Sequence, residues 1–189
     1  ELLKSCTRVH HKARELGATV IYDSIGVGAG CGAKFNELNQ TNKCSVKHAK
    51  FNAGAAVVKP EALYERAAGI KNKDFFTNLK SQSWWCVADR FRLTYQVVNA
   101  IKNGETPPPY QLDELISISS KCPNLEKLKM ELSIPMRDFD NNGRVKVESK
   151  KDLAKRDIKS PNIADSFIMA YAPINSGLNI RPDALKGLF

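Results

Sequence analysis

Residues 19–30, TVIYDSIGVGAG, decide the fold class that the sequence predicts. The β-branched and apolar run from Ala18 to Tyr22 is typical of a buried parallel strand, and it stops at Asp23. An amphipathic helix is expected over residues 2–16, before this strand, and a short helix over residues 33–39, after the glycines. A helix, a strand and a further helix in succession predict an α/β fold.

The rest of the chain continues this alternation, with no internal repeat and no low-complexity tract. The sequence predicts, in chain order, a strand over 45–52, a helix after Val57-Val58-Lys59-Pro60, a helix over 74–102, a weaker helix over 112–118, a hairpin turn at 138–143 between Leu128–Ile134 and Val145–Val147, and a helix from Ser160-Pro161 to about Ala172. Trp84 and Trp85 fall inside the long helix, where we expect them to pack in the core rather than to stack on bases.

Length and composition exclude several classes of protein. A chain of 189 residues and 21.0 kDa, with 42% hydrophobic and 26% charged residues and a mean hydropathy of −0.36, suits one domain with a sizeable core. A disordered tail, a collagen-like fibre and a disulfide-rich mini-protein are excluded. No run of about 18 apolar residues is present, so no membrane-spanning helix is expected. The five cysteines include no C-x-x-C pair, which favours free thiols in a reducing compartment.

The charge balance indicates a polyanionic partner. Lysine and arginine number 29 against 20 acidic residues, so the net charge is +9 and the pI is about 9.3. Nucleic acid is favoured over an anionic membrane, because no long basic amphipathic stretch occurs. A basic cluster precedes the last predicted helix and is either a solvated face or a surface that contacts the phosphate backbone. Its members are Lys146, Lys150, Lys151, Lys155, Arg156 and Lys159.

Asp23 is the first candidate site residue. It follows a buried strand and precedes a glycine-rich loop, so it is expected at the carboxyl edge of a sheet, where open α/β folds place their sites. The glycines of residues 26–30 do not fit a phosphate cradle, because the G-x-G-x-x-G register fails at Cys31 and the Asp23 carboxylate would repel phosphate. We interpret Asp23 as a ligand of a hard metal ion, with an N-cap or turn aspartate as the alternative.

Asp165 is the second candidate. Its predicted helix is apolar nearly all round and is therefore expected to be buried. A lone buried carboxylate is costly, so Asp165 is expected to have a cation partner. That partner is either a divalent metal ion shared with Asp23 or a lysine, Lys155 or Lys159. If the two acids meet, Mg²⁺ or Mn²⁺ suits their oxygen ligands.

Residues 138–143, DFDNNG, resemble the start of an EF-hand calcium loop without completing it. The glutamate that such a loop requires falls on Ser149, and Glu148 misses the register by one position. We therefore expect a turn with Asn142-Gly143 at its tip.

Four stretches together resemble a known family, the C-terminal nuclease domain of tailed-phage large terminase subunits. They are residues 19–30, 78–85 (NLKSQSWW), 148–151 (ESKK) and 159–166 (KSPNIADS), and their order and approximate spacing agree along almost the whole chain. The resemblance implies a ribonuclease H-like mixed sheet flanked by helices. It also implies a metal-dependent endonuclease, with two Mg²⁺ or Mn²⁺ ions in the complete site, that cuts concatemeric double-stranded DNA during packaging into a procapsid. By motif matching, Asp23 takes the place of the family's second catalytic acid and Asp165 that of its last.

The same resemblance implies partners and a location. Besides double-stranded DNA, these are the terminase small subunit, the portal and procapsid and an upstream packaging ATPase domain, with no membrane, in the cytoplasm of the bacterial host. The family's first catalytic aspartate lies upstream of the helix with which this sequence begins. We therefore expect residues 1–189 to be a single nuclease domain without its N-terminal strands and without the ATPase.

Two other functions are weighed against the endonuclease. One is a catalytically incomplete module that binds DNA or a portal protein, a hypothesis prompted by the first aspartate that the sequence lacks. The other is a nucleotide-binding protein that uses the glycine loop.

Overall fold

The strand predicted ahead of Asp23 is present in a computed structural model that describes residues 1–174. Strand β1, Val20–Asp23, pairs in parallel with β2, His48–Phe51, so that Asp23 lies opposite Phe51 at the end of the pair. Val20 and Tyr22 are buried, as expected for a strand covered by helices. The carboxyl end of β1 therefore delivers Asp23 to the edge of this two-stranded sheet.

Two helices pack around this sheet in the first of two compact units, Glu1–Asn52. Helix α1, Leu2–Leu16, ends at Gly17, whose left-handed backbone (φ 60°) is a conformation that glycine adopts without strain. Helix α2, Cys31–Thr41, follows a 3-10 helix over Gly26–Gly30, where the sequence predicted only a loop. The core of this unit consists of Cys6, Ala13, Val20, Tyr22, Cys31, Phe35 and Val46.

The second unit, Ala53–Pro173, is organised by a long helix. The helix predicted over 74–102 is in fact two, α3 (Asn72–Phe75) and α4 (Leu79–Lys102). The break occurs because the Thr77 N–H donates to the Val145 carbonyl and because Asn78 caps α4 with its side chain. An intact helix would have used those backbone groups internally.

The prediction of a helix after Pro60 is wrong. Residues 60–71 form turns closed by an isolated bridge between Leu63 and Lys71. The Tyr64 N–H donates to the Ile70 carbonyl, and Gly69 has a φ of +74°, which a helix does not allow.

Two further boundaries differ from the prediction. The helix predicted over 112–118 shrinks to a 3-10 turn, Leu112–Glu114, because the Ile116 N–H and carbonyl both bond to the Thr94 hydroxyl instead. Residues Leu125–Ser133 form helix α5, so the predicted hairpin takes its first strand from later residues.

The hairpin itself is confirmed. Strand β3, Arg137–Phe139, pairs antiparallel with β4, Val145–Val147. Two helices follow, α6 (Lys150–Lys155) and α7 (Asn162–Ala170). The main core of this unit combines residues of α4, β4 and α7, which confirms core packing for Trp84: its members are Trp84, Val87, Ile116, Val147, Ala164 and Ile168.

The α/β class predicted from the sequence is confirmed, with one parallel and one antiparallel strand pair in the described residues. None of the helices described in residues 1–174 has the length and apolar character that a bilayer crossing requires. The interpretation of residues 1–189 as a single domain stays a prediction.

Candidate metal centre and nucleic-acid interface

Asp23 ends strand β1 and is exposed to solvent. One carboxylate oxygen, Oδ1, accepts a hydrogen bond of 3.0 Å from the Ile25 N–H, so the side chain fixes the turn that leaves the strand. The alternative interpretation of Asp23, as an aspartate that stabilises a turn, is thus confirmed. In the described part of the chain no lysine or arginine forms an ion pair with this carboxylate. Its remaining oxygen lone pairs are available to an external cation, and the metal-ligand role stays a prediction.

The 3-10 helix Gly26–Gly30 packs against the backbone of Asp23 at Gly28. A Cβ atom on Gly28 would lie 1.9 Å from the Asp23 carbonyl oxygen, a distance that no side chain can occupy. A Cβ on Gly30 would meet nothing within 4 Å. The glycine loop therefore holds one close backbone approach, at Gly28, and that approach fixes the chain directly after the candidate acid.

Asp165 lies in the first turn of α7, with 24% of its side chain exposed. Its Oδ2 is 3.3 Å from the Nζ of Lys150, the first residue of α6. The prediction that a lysine pairs with Asp165 is correct, but the lysine is Lys150 and not Lys155 or Lys159. Lys155 pairs with Asp152 instead. Lys150 follows directly on the N-cap of α6, and this position brings its ammonium to α7.

Glu131 is a functional candidate that sequence reasoning missed. Its buried carboxylate, on α5, accepts the backbone N–H groups of Ile163 at 2.7 Å and Ala164 at 3.0 Å, the residues just before Asp165. A helix leaves its first N–H groups without partners, and a carboxylate there also gains from the helix dipole. Ser160, the predicted cap, makes no such bond, and Pro161 occupies the N-cap position. The sequence signal that could have identified Glu131 is its position three residues after Leu128, which places an acid on the buried face of α5.

Lys80 is the second residue that was missed. Its Nζ donates to the Glu148 carbonyl at 3.2 Å, across 68 positions of sequence. Burial lowers the pKa of Lys80, while the negative charge of Asp165 opposes this shift and the positive charge of Lys150 adds to it. The charges of Lys80, Lys150 and Asp165 therefore interact in the folded chain. Lys80 lies in the NLKSQSWW stretch, but the residues around it in sequence do not predict that it reaches Glu148.

Most of the predicted basic cluster is already paired with carboxylates. Four of its members form ion pairs: Lys146 with Asp138 (2.8 Å), Lys150 with Asp165 (3.3 Å), Lys155 with Asp152 (2.7 Å) and Arg156 with Glu148 (2.6 Å). Lys151 and Lys159 form no ion pair within the described residues, and both are exposed. The cluster is thus a solvated, partly neutralised surface, and its contact with DNA stays a prediction.

The residues that mimic a calcium loop form the predicted turn. Asp140 accepts the N–H groups of Asn142 and Arg144 with Oδ1, and its Oδ2 lies 2.8 Å from the Arg144 guanidinium. Gly143, with a φ of +75°, closes the turn at its tip. Both oxygens of Asp140 are thus engaged within the hairpin. Burial alone would raise the pKa of Asp140, but these bonds hold it below its usual value.

Comparisons with family models and with curated proteins find no match. Solved structures do match. The nuclease domain of the large terminase subunit gp2 of bacterial virus Sf6 is 31% identical to this chain, with a TM-score of 0.73, over 88% of this chain and 70% of that one. A lysine-to-alanine mutant of that nuclease domain, solved with manganese, is 29% identical, with a TM-score of 0.72 over 88% and 71% of the two chains.

This chain belongs to the nuclease-domain family of phage large terminase subunits. A third structure, the mutant Sf6 domain solved with calcium, agrees at 29% identity and a TM-score of 0.72, over 88% of this chain and 70% of that one. The resemblance inferred from four short stretches of sequence is confirmed, and with it an endonuclease role in a phage terminase. In this terminase nuclease domain Asp23 belongs to the first compact unit and Asp165 to the second.

Proposed function

We propose that this terminase nuclease domain is a divalent-metal-dependent endonuclease with a ribonuclease H-like fold. It cuts concatemeric double-stranded DNA during genome packaging, with Asp23 and Asp165 as metal ligands. The observation that carries the proposal is the match, over 88% of the chain, to nuclease domains solved with manganese and with calcium.

The two carboxylates fit a hard cation in their chemistry. Among residues 1–174, Asp23 is exposed and accepts a hydrogen bond from the Ile25 N–H, and Asp165 is partly exposed and pairs with the Lys150 ammonium. Mg²⁺ is usually bound by one or two carboxylates together with water and substrate phosphates rather than by an all-protein cage. Among residues 1–174 no three His, Cys, Asp or Glu side chains form a group that could hold an ion. We therefore expect weak metal binding that DNA phosphates strengthen, and a second ion needs ligands in addition to these two acids.

A bound Mg²⁺ or Mn²⁺ supplies Lewis-acid stabilisation and an activated water for phosphodiester hydrolysis. The residues of the chain provide the surroundings for that chemistry. Asp23 and Asp165 supply the negative charge that attracts the cation. Lys150 places an ammonium next to Asp165, so a phosphate that reaches this carboxylate meets a positive charge. Glu131 fixes the helix turn from which Asp165 extends.

The exposed members of the basic cluster are proposed to hold the phosphate backbone without reading the base sequence. Lys151 and Lys159 carry charge that no carboxylate of the described residues neutralises, and the paired members Lys146, Lys150, Lys155 and Arg156 extend the same surface along the chain. Contacts of this kind weaken steeply as salt rises. In the terminase this domain is proposed to act with the ATPase domain, the small subunit and the portal, in the cytoplasm of the bacterial host.

Plasmid cleavage tests the proposal, in protein expressed from the complete gene and supplied with Mn²⁺ or Mg²⁺. Asp165→Asn and Asp23→Asn are expected to lower the cleavage rate on the order of 10²–10³-fold, the usual effect of losing one stabilising group. Asp89→Asn is the matched control for Asp165, because Asp89 is 19% exposed and pairs with Arg92 in the same unit. Glu37→Gln is the matched control for Asp23→Asn, because Glu37 is an exposed acid of the first unit.

Wild-type cleavage in Asp165→Asn would contradict the proposal. Salt-sensitive DNA binding by the wild type, with no cleavage under either metal, would instead favour the catalytically incomplete DNA-binding module.

A further inference from the structure

Lys80 carries a half-buried positive charge that has no ion-pair partner in residues 1–174. It lies in the first turn of α4, where the chain is held tightly. The Asn78 side chain accepts the Ser81 N–H at 3.0 Å, and the Lys80 N–H donates to the Ala53 carbonyl at 3.0 Å. The position of the Lys80 backbone is therefore fixed on both sides.

The side chain reaches the segment that carries Lys150. Its Nζ donates one hydrogen bond, to the Glu148 carbonyl, two residues before Lys150. An ammonium has three N–H donors, so two remain for other partners. This bond holds the Lys80 ammonium beside the chain that leads into α6, whose first residue, Lys150, pairs with Asp165 at 3.3 Å.

The nearby acids favour the charged form of Lys80, but each of them is paired with another group. Glu148 accepts the Met136 N–H at 3.0 Å and pairs with Arg156 at 2.6 Å, and Asp165 pairs with Lys150. Burying a cation without a partner is unfavourable, and burial accordingly lowers the pKa of Lys80. An anionic ligand would supply the missing partner.

We propose that Lys80 binds a phosphate oxygen of the DNA strand next to Asp165, as a further substrate-contacting residue of the nuclease site. The inference rests on the proposed function, since the ligand is the phosphodiester that the enzyme cuts. Lys80 and Lys150 then present two ammonium groups to the same backbone segment from two different elements, α4 and α6. This residue lies outside the basic cluster that the sequence predicted.

A purely structural role is the competing account. In it the bond from Lys80 to Glu148 only fastens the end of β4 to α4, and DNA never meets the ammonium. The two accounts differ in what salt does to DNA affinity. A phosphate contact releases bound counterions, so its loss lowers the slope of log affinity against log salt by about one. A structural bond leaves that slope unchanged.

Binding of a fluorescent DNA duplex in EDTA tests the inference without any cleavage. Lys80→Met keeps the apolar stem and removes the charge, and we expect affinity to fall about three- to tenfold at low salt, with the salt slope reduced by about one. Lys80→Arg is expected to keep the wild-type slope. Lys102→Met, at the other end of α4, is the control for loss of a lysine from this helix. Thermal unfolding of each variant reports on the fold.

Cleavage by the same variants separates this inference from the proposed function. If Asp165→Asn abolishes cleavage while Lys80→Met binds and cuts like the wild type, the function stands and the role of Lys80 is overturned. If the wild type does not cut and Lys80→Met still loses affinity and slope, the phosphate contact stands and the endonuclease proposal fails. A Lys80→Met variant with lower affinity but an unchanged salt slope would also overturn the inference, in favour of the structural role.

Discussion

The two candidate acids are held in very different ways. Asp23 is exposed at the end of a strand, and backbone atoms close by in sequence fix it. Asp165 is partly buried on a helix whose first turn is held by Glu131 of α5, and its carboxylate pairs with Lys150 of α6. The first arrangement depends on the local chain, whereas the second depends on residues brought from 15 to 34 positions away (165 − 150 and 165 − 131). Substitutions near Asp23 should therefore disturb the local turn, whereas substitutions near Asp165 should disturb contacts between helices.

Two sets of probes separate the units. Both tryptophans of the sequence, Trp84 and Trp85, lie on α4 in the second unit. The thiols of Cys6 and Cys31 lie in the core of the first unit. Tryptophan fluorescence therefore reports on the second unit, and labelling of Cys6 and Cys31 reports on the first.

The largest effect on stability is expected from Gly28→Ala. The new Cβ would lie 1.9 Å from the Asp23 carbonyl, so the backbone must shift, at a cost of about 3 kcal/mol in free energy of unfolding. Labelling of Cys6 and Cys31 during denaturant unfolding should show the loss before tryptophan fluorescence does. Gly30→Ala is the matched control, since its Cβ meets nothing within 4 Å. Equal stability of the two variants would show that the close approach at Gly28 is unimportant.

A smaller loss, with the opposite regional pattern, is expected from Glu131→Ala. It leaves the N–H groups of Ile163 and Ala164 without their acceptor, which should cost about 2 kcal/mol. Tryptophan fluorescence should detect this change first. Glu131→Gln keeps an oxygen acceptor and is expected to recover part of the stability. If Glu131→Ala unfolds like the wild type, the carboxylate does not hold α7.

Thiol chemistry distinguishes the buried core of the first unit from the surface of the second. Burial and the hydrogen-bonded contact with Cys6 raise the pKa of Cys31 to about 11, so at pH 8 its thiolate fraction is on the order of 10⁻³. Iodoacetamide should therefore label the half-exposed Cys122 in the folded protein and leave Cys31 unmodified until denaturant is added, as mass spectrometry of peptides can show. Rapid labelling of Cys31 in the native protein would contradict the buried core.

The smallest effect concerns acid stability. Hydrogen bonds from Lys155 and Ser149 lower the pKa of Asp152 to about 2, below its usual value near 4. The stabilisation is therefore present above about pH 4 and is lost as the pH falls towards 2. Asp152→Asn should flatten the fall in stability over this window, measured by tryptophan fluorescence. The change is expected to be small, since exposed ion pairs contribute little and salt screens them. An unchanged acid profile would mean that this pair contributes nothing.

Local sequence predicted the parts of the fold that local forces determine. The strand before Asp23, the helix that ends at Gly17 and the turn at Gly143 all follow from propensity and glycine geometry. The break before α4 was not predictable, because it depends on a bond from Thr77 to the distant Val145. The apolar pattern at Leu112 suggested a helix, and Thr94 diverted the backbone that follows.

The candidate site shows the same division. Both acids were found because each follows or sits in a strongly apolar element. The contacts around Asp165 were not found, since Lys150 reaches its carboxylate and Glu131 reaches its helix only after the chain has folded. The same holds for the bond from Lys80 to Glu148, just before Lys150. Charge alone suggested a continuous basic surface, whereas four of its six members are paired with carboxylates.

Manganese binding by four forms of the protein tests the central claim most directly. The forms are the wild type, Asp23→Asn, Asp165→Asn and the double variant, and free Mn²⁺ is measured by electron paramagnetic resonance in the presence of duplex DNA. If the two acids bind the same ion, each single variant should lose binding about as fully as the double variant, because residues that act as one unit are not additive. Wild-type binding in either single variant, or losses that simply add in the double variant, would contradict a shared metal site.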